Sequence, residues 1–183
     1  MDIINVLIII AVVVVLWLVL AYNSLIRLRN RAKEAASDIE VQQKRRYDLI
    51  PNLVESVRGY MAHEAGVFQK VTEARTRAMG AHDGKEKQEA ENMLTGALKT
   101  LFAVSENYPQ LRANENFLNL QQEITDTENK IQAARRFYNS NVMALNTKIE
   151  TFPTNLIAGM FGFAKLEFFD ADEETEKPIA VKF

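Results

Sequence analysis

The chain opens on an unbroken apolar run: from Ile3 to Tyr22 there is no charge, and only Asn5 is polar. About 20 helical residues at about 1.5 Å each match a hydrocarbon core of about 30 Å, so the run predicts a transmembrane helix. A cleaved signal peptide would need a basic n-region and a small-x-small site flanking Val12–Leu20, and neither is present. Tyr22 falls where an aromatic ring sits at headgroup level, with Trp17 deeper in the span.

Past the span the pattern turns amphipathic. Leu25, Leu28, Ala32, Ala35, Ile39, Gln42, Arg46 and Leu49 recur in steps of three and four, the seam of a helix packing on neighbours. No Gly or Pro interrupts the stretch, so the transmembrane helix is expected to run into it. Pro51 removes one helical hydrogen bond and crowds the carbonyl of Tyr47. The rhythm nevertheless carries on through Ile50, Leu53, Val57, Tyr60, Val67, Val71, Ala74 and Ala78. With no Gly beside Pro51 for a tight reversal, the expectation is a kinked continuous helix, the alternative being a hairpin at Asp48–Asn52.

Gly80-Ala-His-Asp-Gly84 is the clearest break and predicts a short connection to a helix over about Lys85–Glu106. After Tyr108-Pro109, Phe117, Leu120, Ile124, Thr127, Ile131, Ala134, Tyr138, Asn141, Leu145, Ile149 and Phe152 predict one long helix ending at Pro153. Leu156–Ala164 and Leu166–Phe169 read as a cap on one end of the bundle. The competing reading is a membrane-contacting or partner-binding patch, because Met160, Phe161, Phe163, Phe168 and Phe169 together are too apolar to leave in water. The expected fold is all-α: an N-terminal transmembrane helix (1–22), an elongated antiparallel helical bundle (23–169) and an acidic C-terminal tail (170–183). The bundle has three long helices, or four if Pro51 is a hairpin.

Charge gives the anchor a direction. Only Asp2 precedes the span, whereas the membrane-proximal Arg27, Arg29, Arg31 and Lys33 follow it, which predicts a short N-terminus outside and a cytoplasmic main domain. The same four residues can hold anionic headgroups at about 1 kcal/mol each. The net charge of −2 supplies no general attraction for nucleic acid, and the absence of cysteine excludes disulfides, thiolate metal sites and a cysteine nucleophile.

Candidate chemistry is sparse. His63-Glu64 resembles the start of a zinc-protease helix, but that motif needs a second histidine where Val67 stands, and His82-Asp83 shares no ligand spacing with it. No nucleophile elbow or phosphate loop is present, so neither an enzyme, a cofactor nor a metal is expected. A metal-dependent sensor or enzyme on His63, Glu64 and His82 is the weakest alternative. Lys44-Arg45-Arg46 is the densest basic cluster, but an upright helix would lift Arg45 roughly 35 Å beyond Tyr22, several Debye lengths from the surface. Pairing within the fold or with a protein partner fits it better than lipid. Arg46 falls on the apolar seam, which calls for a carboxylate beside it. Gln42, Thr127 and Asn141, also polar on the seams, are expected to fix helix register, or else to form a buried binding network.

The stretches Val41-Gln-Gln-Lys-Arg-Arg-Tyr-Asp-Leu-Ile-Pro-Asn-Leu-Val54 and Val57-Arg-Gly-Tyr-Met-Ala-His-Glu64 resemble the signature of the bacterial LemA family. Glu106–Pro109, Phe117–Gln121, Arg136–Asn139, Phe152–Asn155 and Phe168-Phe169 follow in the family's order and spacing. The resemblance implies a helical bundle behind one anchor in the bacterial cytoplasmic (inner) membrane, and no established activity, cofactor or catalytic residue. Family genes often neighbour a membrane metalloprotease, and one branch is associated with building internal membranes. The expected function is a membrane-tethered interaction or scaffold protein in envelope maintenance or membrane organisation, with an accessory of a membrane protease or stress-signalling system as the alternative. The expected partners are the lipid bilayer and a protein, whether such a protease or a second copy in a homo-oligomer. The candidate surface is Arg45, Arg46, Tyr47, Asp48, Asn52, Tyr60, His63 and Glu64.

Overall fold

The structure, a computed structural model, describes residues 2–82 and 84–169; the acidic stretch 170–183 and Asp83 lie outside the described residues. Six helices follow in order: α1 (Ile3–Arg58), α2 (Ala65–Gly80), α3 (Gly84–Ser105), α4 (Pro109–Arg112), α5 (Glu115–Glu150) and α6 (Thr154–Met160). No strand occurs among the described residues, and the fold is all-α as the sequence predicts. Residues 1–38 with 133–169 form one compact unit and residues 39–132 another, with α1 and α5 contributing to both.

In the second unit, the C-terminal part of α1, α2, α3 and the N-terminal part of α5 share one core. Ile50, Leu53, Val57 and Met61 meet Phe68, Val71, Ala74 and Ala78 of α2, together with Leu94, Leu98 and Leu101 of α3 and Phe117 and Ile124 of α5. Burying a side chain of this size stabilises by about 1.5–3 kcal/mol, so the steps of three and four seen in sequence are the steps that hold the unit together. Successive helices run antiparallel. Arg75 of α2 reaches back to Tyr47, Lys87 of α3 reaches back to Ala78, and the Phe102 and Phe117 rings face each other at 6.4 Å.

The continuous helix expected from the anchor to Ala78 is corrected by a break at Gly59–Glu64, and the alternative hairpin at Asp48–Asn52 does not form, since α1 passes through Pro51 to Arg58. At the break, the Tyr60 and Met61 amides both bond the Val57 carbonyl, and the Glu64 amide bonds Met61 O. Met61 is buried within the turn, whereas Tyr60, which falls in step with the apolar pattern in sequence, is exposed. The cause lies in the core: α2 carries an apolar face that only a reversal lays against Tyr47, Ile50 and Leu53. Pro51 is accommodated chemically. It offers no amide to the Tyr47 carbonyl, and Arg75 Nε donates to that oxygen at 2.8 Å, so the vacancy made by the proline becomes a docking point for α2.

In the first unit, none of the most apolar window of α1 is buried, and every residue from Ile3 to Leu20 is exposed. Burial begins at Ala21 and Leu25, which pack with Leu145 of α5 and Ile157 and Ala158 of α6. α6 ends in a Schellman motif: the Phe163 amide reaches Ala158 O at 2.9 Å, the Gly162 amide reaches Gly159 O, and Gly162 takes a φ of 67° that side chains disfavour. The motif turns Phe163 back onto Tyr22, ring centroids 5.9 Å apart, and under the Arg29 guanidinium at 5.3 Å. Beyond it, Leu166–Phe169 pairs with no strand among the described residues, and three α5 side chains bond its backbone, Tyr138 donating to Glu167 O at 3.1 Å. The Asn146 carboxamide exchanges two bonds with Leu166, and Asn139 does the same with Phe169, at 2.8–3.0 Å.

Candidate functional site

Arg46 is the centre of a polar cluster inside the second unit. Its side chain is 1% exposed, and its guanidinium donates to the carboxylates of Glu91 on α3 and Glu128 on α5 and to Thr95 Oγ1 at 3.0 Å. Glu91, also 1% exposed, accepts the Tyr47 hydroxyl on Oε1 as well, and Lys87 Nζ lies 3.7 Å from the same oxygen. By formal charge the cluster of Arg46, Lys87, Glu91 and Glu128 is neutral. A planar, permanently charged fork can bridge two carboxylates on different helices at once, which a lysine cannot do. The carboxylate expected beside Arg46 is therefore there twice over, and one side chain ties α1 to α3 and α5.

The expected interaction surface is thereby corrected at two of its residues. Arg46 and Tyr47 belong to the core, the latter 7% exposed with its hydroxyl turned inward to Glu91, because the seam they sit on is used for packing inside the chain. Arg45, Asp48, Asn52, Tyr60 and His63 are exposed, and Glu64 is half-buried. Val41, Lys44, Arg45 and Asp48 line one shallow groove; Glu55, Ser56, Asn116, Asn119 and Glu123 line a second. The two meet at Asn52. Arg45 and Glu123, both half-exposed, pair at 3.5 Å, an interaction worth at most about 1 kcal/mol and easily exchanged for a partner's charge.

At the turn after α1 the remaining candidates meet a region that the sequence reading left unassigned. Tyr60 accepts from Asn114 Nδ2 at 3.1 Å, and the Tyr108 hydroxyl donates to Glu64 Oε1 at 3.2 Å. Desolvation, and after it the Glu64 carboxylate, holds the Tyr108 phenol above the ordinary tyrosine value. Tyr60, Asn107, Tyr108, Pro109 and Gln110 form a further pocket at this end. His63 and His82 are both exposed.

Of the polar seam residues, Thr127 and Asn141 are buried. Thr127 bonds Glu123 O and Asn141 bonds Phe137 O, each within its own helix, so neither pairs across a seam by these bonds. On α1 the buried glutamine is Gln43, and Gln42 is half-buried, because a helix of 3.6 residues per turn drifts against a fixed pattern of threes and fours.

The model of the LemA family matches residues 35–183. The chain belongs to the LemA family. Protein LemA of Metamycoplasma hominis is 31% identical over 155 residues, covering 82% of this chain and 69% of the relative. Magnetosome protein MamQ 2 of Paramagnetospirillum magneticum is 25% identical over 188 residues, and Magnetosome protein MamQ of Magnetospirillum gryphiswaldense 24%, each covering 88% of this chain and 69% of the relative. The LemA match includes the Arg46 cluster, the grooves at Asn52 and the Tyr60–Tyr108 end, whereas the whole apolar N-terminal run precedes it.

Proposed function

We propose that this LemA-family chain is a membrane-tethered, non-enzymatic scaffold whose bundle presents the grooves around Asn52 to a protein partner, in envelope maintenance or membrane organisation. The observation that carries the reading is the division of labour along α1. Ile3–Leu20 is exposed on every side and apolar enough to span a bilayer, and the same helix continues to Arg58 with Arg46 fixed inside and Arg45, Asp48 and Asn52 left outside. A surface on a helix with a locked buried side is pre-organised, which reduces the ordering cost of binding. The excess of Arg and Lys just past the span supports a cytoplasmic bundle at the inner membrane. The magnetosome proteins among the relatives are in keeping with membrane organisation.

Photocrosslinking in cells tests this. A photoreactive residue placed at Asn52 or His63 of the full chain is expected to yield discrete adducts that the same residue at exposed Met93 on α3 does not. No adduct from either position, or the same pattern from Met93, would remove the proposal.

A further inference from the structure

From Thr151 to Ala164 the chain carries no charge, and its large side chains divide into two sets. Ile157 and Ala158 are buried against Ala21, Leu25 and Leu145. Phe152, Leu156, Met160 and Phe161 are exposed, Met160 by 80% and Phe152 by 75%. Leu156 and Met160, four apart on α6, share a face. Four large apolar groups left exposed within one short segment ask for a cover.

Their place in the fold says what the cover is. The buried face of α6 rests on Ala21, the first buried residue after the exposed run of α1, and the Phe161 ring contacts the Tyr22 ring, centroids 4.8 Å apart. Tyr22 closes the apolar span, where an aromatic ring meets the headgroups. The exposed apolar set is thus continuous with the surface of α1 that needs lipid. Basic groups stand beside it as at other membrane boundaries: Arg29 lies over Phe163, and Lys148 bonds Ser24 two residues past Tyr22.

We propose that α6 and Phe152 form an interfacial foot, in which Phe152, Leu156, Met160 and Phe161 enter the boundary between headgroups and acyl chains beside the anchor. The occupant of this face is lipid of the leaflet in which the apolar span of α1 ends, at Tyr22. Uncharged Thr154 and Asn155 at the start of α6 add no barrier to shallow burial, and the Gly162 turn brings the chain back out toward Lys165 and Glu150, which pair with each other. The foot gives the unit of residues 1–38 and 133–169 a second attachment to the bilayer. The inference rests on Ile3–Leu20 spanning the bilayer, which the native Trp17 reports independently.

The test uses the full chain in phosphatidylcholine vesicles containing phosphatidylglycerol and lipids brominated at a shallow or a deep acyl position. In the native chain Trp17 is the sole tryptophan, and its quenching by deep bromine establishes the anchor. In a Trp17→Phe background, Met160→Trp is expected to be quenched several-fold more by shallow bromine than Phe137→Trp, an exposed position on α5 roughly 12 Å from Leu145 along the helix. Acrylamide in the aqueous phase is expected to show the reverse order. If Trp17 is quenched but Met160→Trp matches Phe137→Trp with both quenchers, the foot is wrong while the anchor stands. Protection of Met160→Trp from bromine and acrylamide alike would mean a second copy covers the face, and would equally overturn it. Loss of Trp17 quenching instead overturns the anchor.

Discussion

Arg46→Ala is expected to cost the bundle about 3–5 kcal/mol of stability, the usual penalty for removing one partner of a buried ion pair. Glu91 is as buried as Arg46, and the contacts it keeps include the Tyr47 hydroxyl and, at 3.7 Å, the Lys87 ammonium. Arg46→Lys should recover little, since a single ammonium cannot reach Glu91, Glu128 and Thr95 with a fork's geometry. Arg45→Ala, one residue away but pairing with Glu123 at the surface, should cost under about 1 kcal/mol. Denaturant unfolding of the full chain in detergent, followed by circular dichroism, separates the two. Equal losses at positions 45 and 46 would show that the buried cluster is not what ties α1 to α3 and α5.

A second large effect is expected at the proline. Arg75→Met removes a charged donor to the half-buried Tyr47 carbonyl and should cost about 1.5–3 kcal/mol, the usual worth of a hydrogen bond from a charged group. In a Pro51→Ala background the new amide at position 51 can bond that carbonyl through the ordinary helical pattern, so the same Arg75→Met change should cost much less. The interaction energy of the double-mutant cycle is the measured quantity, and it should be clearly different from zero. A cycle in which the two changes simply add would mean that Arg75 and Pro51 are not linked through Tyr47.

These two sites show what the sequence makes legible and where it stops. A positive charge on an apolar seam demands a buried carboxylate, so the pairing of Arg46 was foreseeable, but Glu91 and Glu128 lie on other helices and nothing local marks them out. Pro51 likewise announces that the Tyr47 carbonyl lacks its helical amide, without naming Arg75, because that donor arrives only once α2 has folded back. The reversal is not legible because Tyr60 falls in step with the apolar pattern at the turn although it is exposed, while Pro51, the obvious interruption, is absorbed into α1. A candidate span is legible in sequence, since a run of hydrophobic residues of bilayer length needs no tertiary context. Asn139 and Asn146, seven apart on one face of α5, could have been noticed as a pair of carboxamides able to replace a partner strand. Their role becomes visible only when Leu166–Phe169 lies along that face.

The central claim is that attachment and presentation belong together: the bundle reaches its partner because α1 holds it at the membrane. The most direct test places the photoreactive residue at Asn52 in two chains, the full one and one whose first 22 residues are replaced by a soluble fusion partner. Equal expression and equal helicity by circular dichroism are required of both. The adduct formed by the anchored chain is expected to be lost, or reduced at least tenfold, when the chain is released from the membrane, as removal of a tether's effective concentration requires. The same adduct at the same yield from the soluble chain would contradict the account.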